Sequence, residues 1–285
     1  MTQAAVSSVP ASRTDDAAMR ELGREALPGS AYLAAANVIM QLSRMPVGHG
    51  VAKSTVDSGR LDKRPLKRLR TTISYLVIAL VGDEHEQRAM RDEVNKQHRQ
   101  VRSKPGDDVA YNAFDPELQL WVAACLYVGF EQYLRDFRGL RDPEVWAAFY
   151  AYSERLGTTL QVPEGVWPAD RDAFEEYWQA GIAKIELDDL TRGFLQDLAA
   201  MRFLPAPFPQ LIGPLHRFLT LGFLPAPFRD QLGLPWTARH QRAFDRVQRL
   251  VVAIDRRTPR AVRLLPVRLY ERDVRDRIRA GRPIV

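Results

Sequence analysis

His98 stands in Glu93-Val-Asn-Lys-Gln-His98-Arg-Gln-Val-Arg102, where Met90, Val94, His98 and Val101 recur at three- and four-residue steps. That spacing puts the imidazole on the apolar stripe of a helix, facing a core or a pocket rather than water. There it is a candidate ligand for a metal or a haem iron, and the competing reading is a hydrogen-bonded core histidine. Arg68 and Thr72 share a face at i, i+4 of the preceding segment. Taken alone they read as surface charge and helix filler. Were a haem placed against His98, the neutral imidazole would give a nitrogen to iron, and an arginine would pair with a propionate or steady a distal oxygen ligand. Thr72 would donate a hydrogen bond into the same space. His49, in Pro46-Val-Gly-His-Gly50, reads as a glycine-flanked loop residue, with a place lining the same site as the alternative. His85, His216 and His240 lie beside charged or loop segments and rank lower.

Other chemistries lose their usual support. The chain has no H-E-x-x-H, no G-x-S-x-G and no G-x-x-x-x-G-K-[ST], which removes the signatures of zincins, α/β-hydrolases and P-loop enzymes. None of the five histidines has Glu three residues before it, as carboxylate-bridged di-iron sites require. The single cysteine, Cys125, excludes an intramolecular disulfide, a Cys-rich zinc site, a cysteine-ligated iron–sulfur cluster and C-x-x-C-H haem attachment. Within Leu120-Trp-Val-Ala-Ala-Cys-Leu126 it reads as a small buried filler.

The elements that must position these residues are helices. Apolar positions recur at helical steps nearly throughout, with no convincing alternation, which gives an all-α expectation of about ten helices in a single globular domain. One helix is predicted over 65–81, with Pro65 at its start and Gly82 after its end. Its antiparallel successor begins near Asp83 and runs through His98 to about Arg102. Asp115-Pro116 and Asp142-Pro143 are N-cap and N1 pairs for two more helices, the second reaching a stop at Gly157. Further helices are expected at about 169–184, 188–201, 208–221, 237–256 and 269–280. Phe203-Leu-Pro-Ala-Pro-Phe208 recurs as Phe223-Leu-Pro-Ala-Pro-Phe228 and reads as two similar turns rather than a solenoid period.

At 285 residues, 46% hydrophobic and 27% charged, the chain can bury a substantial core. Residues 1–16 read as a disordered lead-in to a helical domain over 17–285. The longest apolar run, around Tyr75 to Val81, is far short of the roughly 20 residues of a bilayer span. The Ala/Ser/Thr-rich N-terminus lacks the pattern of a secretory signal, so a cytoplasmic location is expected. The net charge of +6 is carried largely on arginines interleaved with acids, and no nucleic-acid motif accompanies the denser patch Lys63 to Arg70, so nucleic-acid binding is not expected.

Three blocks, Arg68-Leu-Arg-Thr-Thr72, Gln97-His98-Arg-Gln-Val101 and Tyr111-Asn-Ala-Phe-Asp-Pro-Glu-Leu-Gln-Leu-Trp121-Val-Ala, follow one another in an order and spacing that resembles the MpaB-like oxygenase family, which includes the latex-clearing rubber oxygenases. The likeness is tightest over about 45–135. Weaker matches at Ala173-Phe-Glu-Glu-Tyr-Trp178 and Gly222-Phe-Leu-Pro225 extend it over most of the chain. The resemblance implies an all-helical domain enclosing a non-covalent b-type haem, with His98 as the proximal iron ligand and Arg68 and Thr72 on the distal side. Rubber oxygenases carry a lysine before that threonine, where this chain has Thr71, and their acidic general base has no secure counterpart here. What carries over is haem binding and oxygen chemistry rather than polyisoprene cleavage.

The expectation is therefore a haem b-dependent oxygenase that uses dioxygen or peroxide on a small hydrophobic or unsaturated metabolite. Trp121, Phe149 and Trp178 would line the porphyrin or substrate space, or else pack as ordinary core. Two rivals stand beside it: a non-enzymatic haem-binding or helical interaction protein, and peripheral membrane contact through the Lys63–Arg70 patch and the two Pro-rich turns.

Overall fold

The computed structural model describes residues 13–53 and 65–284. Among these residues the β pairing is one isolated antiparallel bridge between Arg102 and Asn112, and the remaining regular structure is helical. The chain runs through α1 (Arg13–Ala26), α2 (Gly29–Leu42), α3 (Met45–Ala52), α4 (Pro65–Val81), α5 (Glu84–His98), α6 (Pro116–Asp136), α7 (Pro143–Tyr152) and α8 (Arg155–Thr158). It continues through α9 (Arg171–Ile182), α10 (Asp189–Ala199), α11 (Phe208–Phe223), α12 (Ala226–Leu232), α13 (Ala238–Arg257), α14 (Arg260–Arg263) and α15 (Leu265–Arg279).

The helix starts are where local chemistry predicts them. Asp115 accepts hydrogen bonds from the Glu117 and Leu118 N–H groups at 2.9 and 3.3 Å, and Asp142 does the same for Glu144 and Val145. These side chains satisfy N–H groups that have no partner inside the helix. Asp83 and Glu86 form a reciprocal capping box at the head of α5, with bonds of 2.8 and 3.1 Å.

Among the described residues fifteen helical segments stand where about ten were expected, nine of the expected ones with stated ranges. The additions are α1, α2 and α3, together with the short α12 and α14. The helix expected to run unbroken to Gly157 divides at Ser153, whose hydroxyl bonds back to the Phe149 carbonyl at 2.6 Å. α1 already opens at Arg13, inside the stretch expected as a lead-in, and residues 1–12 lie outside the described residues. α5 stops at His98 rather than near Arg102, because the backbone beyond it turns to pair. The Ala113 N–H donates to the Val101 carbonyl at 2.9 Å and the Ser103 N–H to the Tyr111 carbonyl at 2.8 Å. That loop carries the start of α6 back alongside His98.

α6 is the central helix and lies against α2 and α8. Its close approach to α2 depends on Gly129, where a Cβ would fall 2.4 Å from the Asn37 amide nitrogen, and Asn37 bonds across to the Cys125 carbonyl at 2.6 Å. α4 packs on α1, α5, α8 and α15, which fixes one wall of the site. No helix among the described residues is long and apolar enough to cross a membrane.

Candidate functional site

His98 is the last residue of α5 and is half-buried. Its Nδ1 lies 3.1 Å from the Gln161 Oε1, just beyond α8, and the Phe114 ring stands edge-on to the imidazole with centroids 6.1 Å apart. Burial lowers the pKa of the imidazole below its ordinary 6.5; the Gln161 hydrogen bond opposes this and the positive charge of Arg68 adds to it. His98 is thus held neutral at neutral pH, the state in which an imidazole nitrogen can bind a metal.

Gln161 is itself held. Its Oε1 accepts from the Gln119 Nε2, its backbone N–H donates to the Gln119 Oε1 at 2.8 Å, and Gln119 also donates to the Ala113 carbonyl at 2.5 Å. Gln119 is buried on α6, three residues after Pro116. The third resemblance block thereby resolves into separate physical tasks: Asn112 accepts from the Phe114 N–H at 3.0 Å, Asp115 caps α6, Gln119 holds Gln161, and Trp121 fills the core.

α4 and α5 form the antiparallel pair that the Gly82-Asp83 junction predicts, and they bring Arg68 to His98: the field of the one charge acts on the other. Arg68 keeps some exposed area, yet its pKa is lowered by burial alone, and no carboxylate among the described residues pairs with it. A buried-side cation without a counter-ion is suited to an anionic or strongly dipolar group. Thr72 sits one turn on, half-buried, and its hydroxyl donates to the Arg68 carbonyl at 3.0 Å. Its proton is therefore engaged within α4, and what it offers outward is an acceptor lone pair rather than the donor expected from sequence.

His49 is not a loop residue. It lies within α3, 2% exposed, with Nε2 at 2.6 Å from the Asp188 carboxylate. Its flanking glycines suggested a turn, but Gly48 serves packing: a Cβ there would sit 2.6 Å from the Thr191 side chain and 2.7 Å from the Leu42 carbonyl. Asp188 caps α10 through the Thr191 N–H at 2.8 Å. Burial opposes its ionisation, but the bonds from Thr191 and His49 prevail and hold the carboxyl at about 2.

The remaining histidines have local roles. His216 lies 2.7 Å from the Ala199 carbonyl, His240 completes the capping box of α13, and His85 is exposed. Trp121 and Trp178 stack at 5.1 Å in the interior, the Trp121 Nε1 donates to the Gln41 carbonyl at 3.2 Å, and Phe149 is fully buried, so these aromatics serve the core. Cys125 is likewise fully buried. Of the basic patch, Lys63 and Arg64 lie outside the described residues, Arg68 turns to the site, and Arg70 donates to the Ile284 carbonyl at 3.2 Å.

No three His, Cys, Asp or Glu side chains converge on a metal-sized point among the described residues. The site instead offers one neutral imidazole, one guanidinium with no carboxylate partner among the described residues, and an acceptor hydroxyl. That set fits a porphyrin iron, which brings four equatorial nitrogens and asks the protein for a single axial one, together with cations for its propionates.

Residues 24–253 match the family described as ER-bound oxygenase mpaB/B'/Rubber oxygenase, catalytic domain, and the chain belongs to it. It is similar to uncharacterized proteins of Mycobacterium bovis and Mycobacterium tuberculosis, each 45% identical over 253 residues that cover 89% of this chain and 99% of the relative. No solved structure matches the chain.

Proposed function

We propose that the protein is a haem b-dependent oxygenase in which His98 would hold the iron and Arg68 and Thr72 would shape the space where dioxygen reacts. The substrate class that best suits it is a small hydrophobic or unsaturated metabolite, oxidised with dioxygen. The observation that carries this reading is the neutral His98 with one ring nitrogen committed to Gln161, in the field of an Arg68 that pairs with no carboxylate among the described residues. Membership of an oxygenase family supplies the reaction class.

When bound, the haem would supply the redox-active iron that lets dioxygen react with a closed-shell organic molecule. Every other contribution belongs to the chain. His98 presents Nε2 and keeps Nδ1 on Gln161, which sets the orientation of the ring. Arg68 holds a positive charge in place before any reaction, so negative charge that develops near it is stabilised without reorganisation. The Thr72 hydroxyl, fixed by its bond to the Arg68 carbonyl, accepts a hydrogen bond from a group placed against α4.

The test is the ultraviolet–visible spectrum of the purified chain, oxidised and then reduced with and without carbon monoxide, beside the haem-to-protein ratio. A near-stoichiometric Soret band that shifts with carbon monoxide is expected, and His98→Ala should abolish it while far-ultraviolet circular dichroism stays helical. A chain that takes up no haem after reconstitution, or a His98→Ala chain with an unchanged spectrum, would overturn the reading.

A further inference from the structure

We infer that Gln119 and Gln161 form an amide relay that fixes both the tautomer and the direction of the His98 ring, making them positioning residues for the axial nitrogen. The inference rests on the haem reading for its consequence, but the relay itself is dictated by hydrogen-bond polarity. A backbone N–H can only donate and a backbone carbonyl can only accept. The Gln161 N–H donates to one end of the Gln119 amide at 2.8 Å, and the other end lies 2.5 Å from the Ala113 carbonyl. The first end must therefore be oxygen and the second nitrogen, which removes the usual ambiguity of amide orientation.

The Gln119 Nε2 also donates to the Gln161 side chain, so the atom it meets must be the Gln161 oxygen. That oxygen is the atom 3.1 Å from the His98 Nδ1. An amide oxygen cannot donate, so Nδ1 carries the hydrogen and Nε2 of the neutral ring carries the lone pair. Turning the Gln161 amide over would set two donors, the Gln119 Nε2 and the Gln161 Nε2, against each other. The structure keeps the opposite arrangement even though it leaves the Gln161 Nε2 buried without a partner. A local arrangement chosen only for satisfaction would not strand that donor. Because the relay ends in a neutral amide instead of a carboxylate, it orients the imidazole without giving it anionic character.

The experiment uses the full chain with and without haem. Long-range nitrogen–proton correlation spectra of the haem-free chain at pH about 8, where imidazoles are neutral, should show His98 as the Nδ1–H tautomer. Gln161→Leu should move it toward the Nε2–H form that free histidine favours, and should speed haem loss by about tenfold to a hundredfold. Gln161→Glu keeps an acceptor and should retain the Nδ1–H tautomer and the haem, with a lower midpoint potential. Gln119→Leu, which removes only the far end of the relay, should shift the tautomer less than Gln161→Leu. An Nε2–H tautomer in the unmodified chain, or a folded Gln161→Leu chain with unchanged tautomer and haem loss, would overturn the relay. A chain with the Nδ1–H tautomer that takes up no haem would uphold the relay and remove the haem reading instead.

Discussion

His98, half-buried, and His49, 2% exposed, are held by partners of opposite kinds. His98 faces a neutral amide and a cation, and burial and the cation together keep it uncharged. His49 faces a carboxylate at 2.6 Å, and that carboxylate is also the cap of α10. An imidazole set against Asp188 is tied into the packing of α3 on α10; one set against Gln161 is oriented by a neutral amide. On the proposed function, the partner more than the histidine decides which ring is structural and which is chemical.

Exchanging the two residues for alanine separates these roles, and this is the largest expected effect. His98→Ala should lose the haem and change global stability little. His49→Ala should keep the haem spectrum but lower the unfolding free energy by about 2–3 kcal/mol, through a cavity and a stranded Asp188. Denaturant titration alongside the Soret absorbance reads both. Haem loss in His49→Ala at full stability would place His49 in the site and erase the contrast.

Acid sharpens the comparison because the two sites fail in different windows. Asp188 has a folded value of about 2 against an ordinary 3.8, so its contribution is fully present above 3.8 and is lost as pH falls toward 2. His98 has a folded value below 6.5, so the unfolded chain takes up its proton first and stability declines as pH falls below 6.5. Asp188→Asn should be less stable at neutral pH and should flatten the stability profile between about 4 and 2 only. Flattening near pH 6 instead would mean that Asp188 reports on a histidine rather than on its own carboxyl.

How much of this was legible in the sequence differs by kind of signal. The α4–α5 hairpin, the Asp-Pro starts of α6 and α7 and the inward side of His98 follow from periodicity and capping chemistry, which act over a few residues. The pairing of Arg68 with His98 was legible as a consequence of that hairpin. Gln161 was not, because it lies 63 positions from His98 in a short turn after α8, and nothing local distinguishes it from any solvent-facing glutamine. Gln119 sat inside the motif that carried the family likeness, and Ala113 and Gln161 show what it does there. His49 was misread because a glycine needed for close helix approach looks, in sequence, the same as a glycine needed for a turn.

The smallest expected effect isolates the electrostatic link between Arg68 and His98. Arg68 acts on His98 through its charge, after burial and the Gln161 bond in order of size. Arg68→Gln keeps much of the side-chain volume and so leaves burial almost unchanged, while it removes the charge. The His98 pKa should then rise, but should stay below 6.5 because the larger, desolvating cause remains. The ring-carbon proton shift of His98 followed against pH in the haem-free chain measures this directly. With haem bound, the same variant should retain the Soret band, since the axial nitrogen is untouched, and should alter the carbon monoxide dissociation rate. An unchanged His98 titration would show that the guanidinium and the imidazole do not sense each other across the α4–α5 pair, and Arg68 would then belong with the structural arginines of the fold rather than with His98.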